Sequence, residues 1–170
     1  MLYLKELNIE DSLKEYEFLT TIKTENGFYN AYESITYDTF IQQVIPERIA
    51  ASKGMVKEIS HVPDTYFFLW KDETIIGLFK VRHYLNDILR IGAGHIGYAI
   101  LKTHRSKGYA KEGLRLAIEK LIQIPSFEGD EIYLSCLKSN IPSFKTMLAN
   151  GGYVHHEDTE TYYVRIPVKK

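Results

Sequence analysis

With a single cysteine, Cys136, the chain of 170 residues has no partner for an internal disulfide and no basis for a cysteine-built metal centre. Prolines are few, and no stretch rich in Gly, Ser or Pro marks a linker between folding units. Internal repeats and low-complexity tracts are also missing, so one domain over residues 1–170 is expected. No apolar run is long enough to span a bilayer. The opening Met1-Leu2-Tyr3-Leu4-Lys5-Glu6 meets charge too early for a secretory leader. A cytoplasmic soluble protein without a membrane partner is expected. Charge of one sign is lacking too: 21 basic residues face 22 acidic ones, for a net charge of −1. Affinity for nucleic acid rests on a positive face that draws phosphates, so no nucleic-acid partner is expected.

What remains is an ordinary globular composition, 45% hydrophobic and 25% charged. A chain of this length buries roughly 70% of the surface its unfolded form exposes and needs no staple. Residues 2–9 read as a strand. Ser12 with Glu15 has the spacing of a capping box, which predicts a helix to about Thr24 with Leu13, Tyr16, Leu19 and Ile22 on its apolar face. The segment from Thr39 to Gly54 reads as helix interrupted at Pro46, and 55–64 as loop. Tyr66–Trp70 and Ile75–Tyr84, around the polar turn Lys71-Asp72-Glu73-Thr74, make a hairpin. His95–Leu101 is a further strand, introduced by Gly92-Ala93-Gly94. A helix over 107–122 carries Ala110, Leu114, Ala117, Ile118, Leu121 and Ile122 on one stripe.

Ile132–Leu137 is a strand, and Ser139 or Asn140 caps a helix with Pro142 in its first turn, ending at Gly151-Gly152. Tyr153–His156 and Tyr162–Ile166 close the chain as an antiparallel pair. The order β, α, α, β-β-β-α-β-α-β-β predicts a mixed sheet with helices on its faces, an α/β or α+β architecture.

The junction at 95–122 carries the chemistry. Arg105, Gly108 and Ala110 stand in an R-x-x-G-x-A spacing where a strand gives way to a helix. A helix N-terminus presents unpaired N–H groups and the positive end of the macrodipole, which suits a phosphate. Gly108 allows close backbone approach, Ala110 keeps the first turn slim, Arg105 and Lys107 add charge, and Ser106 adds a hydroxyl. A P-loop is excluded, because its longer glycine loop and Lys-Ser/Thr pair are missing.

The segment from His95 through Tyr98, Ala99, Ile100, Arg105 and Gly108 to Ala110, followed by an amphipathic helix, resembles the signature of the GNAT acetyltransferase superfamily. That signature is [R/Q]-x-x-G-x-[G/A] after a fourth strand. The likeness continues at Asn140-Ile141-Pro142-Ser143, similar to N-x-x-[A/S], and at Gly151-Gly152-Tyr153. Ile76-Gly77 and Arg82-His83-Tyr84-Leu85-Asn86 resemble a bacterial subgroup, and the match spans about 60–166. The resemblance implies a mainly antiparallel sheet of about seven strands with about four flanking helices, splayed between the fourth and fifth strands. It implies acetyl-CoA as cosubstrate, no metal, and transfer to a primary amine of a small molecule or protein. The backbone of Tyr98, Ala99 and Ile100 would meet the pantetheine arm. The run Ser106, Lys107, Gly108, Tyr109, Ala110, Lys111 would wrap the diphosphate beside Arg105, with Asn140 and Ser143 on the far side. A homodimer is the commonest assembly of such soluble proteins.

Transfer to an amine needs a base, a polarised carbonyl and a proton for the leaving thiolate. The resemblance puts a tyrosine proton donor seven residues beyond Asn140, where this chain has Met147. The remaining donors are Tyr98, Tyr153 and Tyr162. For the base, His95 leads because imidazole titrates near working pH, with His83 behind it. Met147 keeps open a non-catalytic acyl-CoA-binding module. Tyr29, Tyr32 and Tyr37 with Glu25, Glu33 and Asp38 could receive a cationic amine. Strand alternation argues against metal binding by His155-His156 with Glu157, since neighbours point to opposite faces. Cys136 sits mid-strand, buried and inert.

Overall fold

The computed structural model describes residues 1–169. Seven strands form two antiparallel sheets. The first runs in the order Leu2–Glu6 (β1), Asp64–Lys71 (β2), Thr74–Arg82 (β3), Ile96–Ile100 (β4). The second holds Glu131–Leu137 (β5), Thr161–Pro167 (β7) and Tyr153–Glu157 (β6), with β7 central. Among the described residues the bridge Gly94↔Leu134 joins them, backed by the His95 N–H donating to the Tyr133 carbonyl at 2.7 Å. Beyond that hinge β4 and β5 part, leaving a gap between the two sheets. Gly94 adopts φ +70°, and a Cβ there would stand 2.2 Å from the Tyr133 carbonyl oxygen, so the junction tolerates glycine alone.

Each face of the first sheet has its own core. One face packs Leu69, Phe79, Val81, Ile96 and Ile100 under Tyr109–Ile122 (α5), whose Leu114, Ala117 and Leu121 are fully buried. Gly113 lets α5 settle onto Phe79, since a Cβ would lie 2.4 Å from that ring. The other face packs Phe68, Trp70 and Leu78 under Ser12–Thr21 (α1) and the rod formed by Tyr37–Thr39 (α2), the π-helical Phe40–Val44 and Ile45–Ser52 (α3). The backbone stays helical through this rod, so Pro46 does not interrupt it. A proline ring clashes with the carbonyl four residues back, and the wider π turn ahead of Pro46 relieves that clash. Asp87–Ile91 (α4), capped by the Asn86 side chain accepting from the Leu89 N–H, was not expected. Ile141–Ala149 (α6) is capped by Asn140.

Two expectations fail locally. Leu13 is 56% exposed, and the buried face of α1 is instead Ser12, Glu15, Phe18 and Leu19. The predicted capping box does not form: Ser12 is already helical and its hydroxyl meets the Tyr37 hydroxyl, while Glu15 Oε1 accepts the Asn8 N–H at 2.9 Å. Burial pushes the Glu15 carboxyl up to about 8, and its Oε2 has no partner among the described residues. In the unfolded chain this group ionises near its ordinary value of 4.5. Stability from it is therefore complete below that pH and lost as pH rises towards 8. A Glu15→Gln variant should lose less stability than the parent between pH 5 and 8, measured as Tm against pH.

The two histidines of β6 depart from simple alternation. A register shift between Val154 and His156 brings His155 Nδ1 to 2.8 Å from His156 Nδ1, so the two rings share one side of the strand. Among the described residues, no group of three or more His, Cys, Asp or Glu side chains gathers as a metal site, and no helix is long and apolar enough to cross a membrane.

Candidate functional site

Where β4 parts from β5 the strand leaves backbone groups unpaired. The Arg82 N–H donates to the His95 carbonyl, and the Leu101 N–H to the Ile76 carbonyl. With the register Leu78↔Ala99, this alternation turns the odd-numbered residues of β4 towards β3. Ile96, Tyr98 and Ile100 then present their N–H and C=O groups to the gap, whereas the Ala99 backbone serves β3. Of the three expected backbone partners, Tyr98 and Ile100 face the right way and Ala99 contributes its side chain alone. The Ile100 carbonyl is engaged by Arg105 Nε at 3.0 Å.

A cavity of about 390 Å³ opens from this gap along the N-terminus of α5. Tyr98, Ala99, Ile100, Arg105, Ser106, Gly108, Tyr109, Ala110, Lys111, Asn140 and Ser143 all line it. Lys107 does not; its Nζ turns away to the Thr103 carbonyl at 3.4 Å. The turn itself is wound tightly, with Ser106 at φ +61° and Gly108 at φ +79°. Ser106 pays a steric penalty of about 1 kcal/mol that glycine at 108 avoids. Gly108 is the residue flanking α5, and no side chain caps that helix. Its first N–H groups are left for solvent or an anion. A Cβ at Gly108 would meet nothing within 4 Å, so the cradle above it is open.

Sequence reasoning missed what closes the cavity. Glu25 and Phe28 exchange backbone hydrogen bonds of 3.1 and 2.9 Å around Asn26 and Gly27, both at positive φ. This is a two-residue turn of the Asn-Gly type. It straps the gap: Glu25 takes Arg105 Nη2 at 2.5 Å, and Asn140 Nδ2 donates to the Asn26 carbonyl at 3.3 Å. Arg105 holds the Glu25 carboxyl below its usual range. The Asn26-Gly27 dipeptide was a legible turn signal, but nothing local ties it to residues 80 or more positions away. Lys23, Lys145 and Thr146 also line the cavity without having been singled out.

A second, inner cavity of about 190 Å³ passes through the gap and shares Asn26, Phe28, Tyr98, Asn140 and Ser143 with the first. It adds Gly97, Ser135, Cys136, Met147 and Thr161. Tyr98 stacks on Phe79, and its hydroxyl lies 2.8 Å from Ser143 Oγ. Burial raises the Tyr98 pKa, so the phenol stays protonated. Burial likewise pushes the Cys136 thiol up to about 11, which keeps it from acting as a nucleophile. Met147 is fully buried here, where a hydroxyl was expected from the resemblance.

His95 lies outside both cavities. Its Nδ1 accepts the Tyr133 N–H at 2.9 Å, and its ring packs edge-on against Phe127 and Tyr133. Burial, with Arg90, Arg82 and Arg165 nearby, lowers it to about 4. The residue expected as a base thus bonds across the two sheets rather than facing a cavity. His83 is bonded to the Thr65 hydroxyl at 2.8 Å, also away from the cavities. Tyr153 bonds Glu131, and Tyr162 stacks on Phe144; neither lines a cavity. Of the acidic residues suggested for a cationic amine, Glu33 pairs with Lys23 and accepts the Thr24 N–H, and Glu25 pairs with Arg105.

The same fold occurs in solved structures. An acetyltransferase of the GNAT family from Streptococcus pneumoniae superposes with a TM-score of 0.66 at 12% identity, covering 99% of this chain and 100% of that one. The ribosomal-protein-S5-alanine acetyltransferase from Vibrio fischeri gives 0.70 at 14% identity, over 98% and 92%. An aminoglycoside acetyltransferase, AAC(6')-Ib, in complex with coenzyme A gives 0.65 at 15% identity, over 98% and 95%. A search of curated proteins finds no match by sequence. The acetyltransferase (GNAT) domain family, in contrast, matches residues 13–152 directly, and with the splayed sheets and the turn at Arg105–Ala110 this shows that the chain belongs to the GNAT acetyltransferases.

Proposed function

We propose that this protein transfers an acetyl group from acetyl-CoA to a primary amine. The observation that carries the reading is the pair of adjoining cavities, one at the uncapped N-terminus of α5 and one at the β4/β5 gap, which share Asn26, Phe28, Tyr98, Asn140 and Ser143 in their walls. The residues present fit a nucleoside diphosphate with a long amide arm. Open space over Gly108, the free first-turn N–H groups and the cations Arg105, Lys111 and Lys145 suit the diphosphate. The gap-facing N–H groups of Tyr98 and Ile100 and the C=O of Tyr98 suit the amides of the arm. Solved relatives in complex with coenzyme A support the same use of the fold.

When bound, acetyl-CoA supplies the thioester whose acyl carbon the amine attacks. The gap-facing N–H groups of β4 stabilise the charge that develops on the carbonyl oxygen. Tyr98, with its hydroxyl 2.8 Å from Ser143 Oγ, would give its proton to the departing sulfur and recover one through that hydroxyl, a function Met147 cannot serve. Among the described residues lining the inner cavity there is no His, Asp or Glu, so the amine loses its proton to solvent. The log of kcat/KM should then rise with pH up to the pKa of the amine, without the plateau near 6–7 that a histidine base would impose. A coenzyme A release assay across amines, run beside a thermal shift with acetyl-CoA, tests the reading. Turnover with stabilisation is expected. Stabilisation without turnover on any amine would favour an acyl-CoA-binding module instead.

A further inference from the structure

The chain has six arginines, and they divide into two groups. Arg48, Arg105 and Arg115 each pair with a carboxylate. Arg82, Arg90 and Arg165 form no ion pair among the described residues, and these three gather at one place. Arg165 lies 3.6 Å from the centroid of the Tyr133 ring, and Arg90 lies 5.8 Å from the same ring. Arg82 donates to the Gly94 carbonyl at 3.1 Å, beside the bridge that joins Gly94 to Leu134. All three act on the imidazole of His95, which they help keep neutral.

Arg165 is only 5% exposed, and among the described residues its guanidinium makes one hydrogen bond, from Nη1 to the Val164 carbonyl at 3.2 Å. A guanidinium has five donors, and those of Arg165 that make no protein bond keep contact with solvent, since the buried polar side-chain atoms without a partner among the described residues are Glu15 Oε2 and Arg48 Nε. The ring of Tyr133 holds the guanidinium in place through cation–π attraction. The nearby carboxylates are already engaged: Asp64 holds Arg48, and Glu131 accepts the Tyr153 hydroxyl at 2.7 and 2.8 Å. Asp64 also stands opposite Arg82 in the sheet and attracts it, whereas Arg165 and Arg90 have no ion-pair partner among the described residues and are suited to an anion.

The cluster stands beside the reaction path. Tyr133 and Ser135 lie on the same face of β5, and Ser135 lines the inner cavity. Two residues along a strand span about 7 Å. An amine reaching the gap at Ser135 would therefore bring a group about that far along its chain to Tyr133 and Arg165.

We propose that the acceptor is an amine bearing an anionic group, carboxylate or phosphoryl, a few bonds from its nitrogen, and that Arg165 and Arg90 bind that group. The inference rests on the transferase reading above, so its test measures acceptor binding separately from cofactor binding. The protein loaded with coenzyme A is titrated calorimetrically with 5-aminopentanoate and 6-aminohexanoate, with their neutral primary amides, and with 3-aminopropylphosphonate. Anionic amines should bind at least tenfold more tightly than the amides, with the phosphonate telling carboxylate from phosphoryl preference. Arg165→Met and the exposed Arg90→Gln should each shrink that preference, and the second guards against misfolding of the first. Equal or tighter binding of the amides, no binding of any anionic amine, or a preference untouched in both variants would overturn the proposal. Failure of coenzyme A itself to bind would instead overturn the reading on which it rests.

Discussion

Replacing Gly108 by valine should weaken acetyl-CoA binding at least 100-fold while leaving a folded protein. Gly108 sits at φ +79° with no atom within 4 Å of a would-be Cβ, so the apo fold offers the new side chain room. The cost to folding is the left-handed conformation of a β-branched residue, on the order of 1–2 kcal/mol. The cost to binding is larger, because the branched Cβ occupies the space above the first-turn N–H groups that a diphosphate must enter. Each charge-assisted bond to such a group is worth roughly 1.5–3 kcal/mol, so displacing an anion from two of them exceeds two decades in affinity. Calorimetric titration with acetyl-CoA, beside a melting curve of the variant, separates the two costs. Unchanged affinity would remove the turn from the cofactor site.

Tyr98→Phe should lower kcat about 100-fold with little change in the affinity for acetyl-CoA. The ring keeps its stack on Phe79, and the variant loses only the hydroxyl that meets Ser143 Oγ at 2.8 Å. General acid catalysis typically contributes ~10²–10⁴, and a thiolate needs less help than an alkoxide, which places the expectation at the lower end. The loss should fall on kcat rather than on binding. If kcat is unchanged, the sulfur departs without Tyr98.

The parts of this site that were legible in the sequence are local. The R-x-x-G-x-A spacing of Arg105, Gly108 and Ala110 lies within one turn, and the glycine and the following amphipathic helix announce it together. Asn140 and Ser143 are legible for the same reason, three residues apart at a helix start. The gap is different in kind. It consists of hydrogen bonds that β4 and β5 do not make, and strand propensity carries no signal for an unmade pairing. The Asn26-Gly27 turn was readable as a turn, but its position against Asn140 depends on the whole sheet in between. His95 reads as a base because its chemistry is visible in sequence and its surroundings are not: the Tyr133 N–H and three arginines come from elsewhere in the chain. Leu13 misled because a 3.6-residue stripe shifted by one position still looks apolar, and Glu15 occupies the face that a leucine was expected to hold.

The most direct test follows amide hydrogen exchange along the chain with and without acetyl-CoA. Exchange should slow at Ile96, Tyr98 and Ile100, whose N–H groups face the gap, and at Ser106–Lys111 around the start of α5. Protection confined to other segments, with these two unchanged while acetyl-CoA is bound, would contradict the placement of the cosubstrate in the β4/β5 gap.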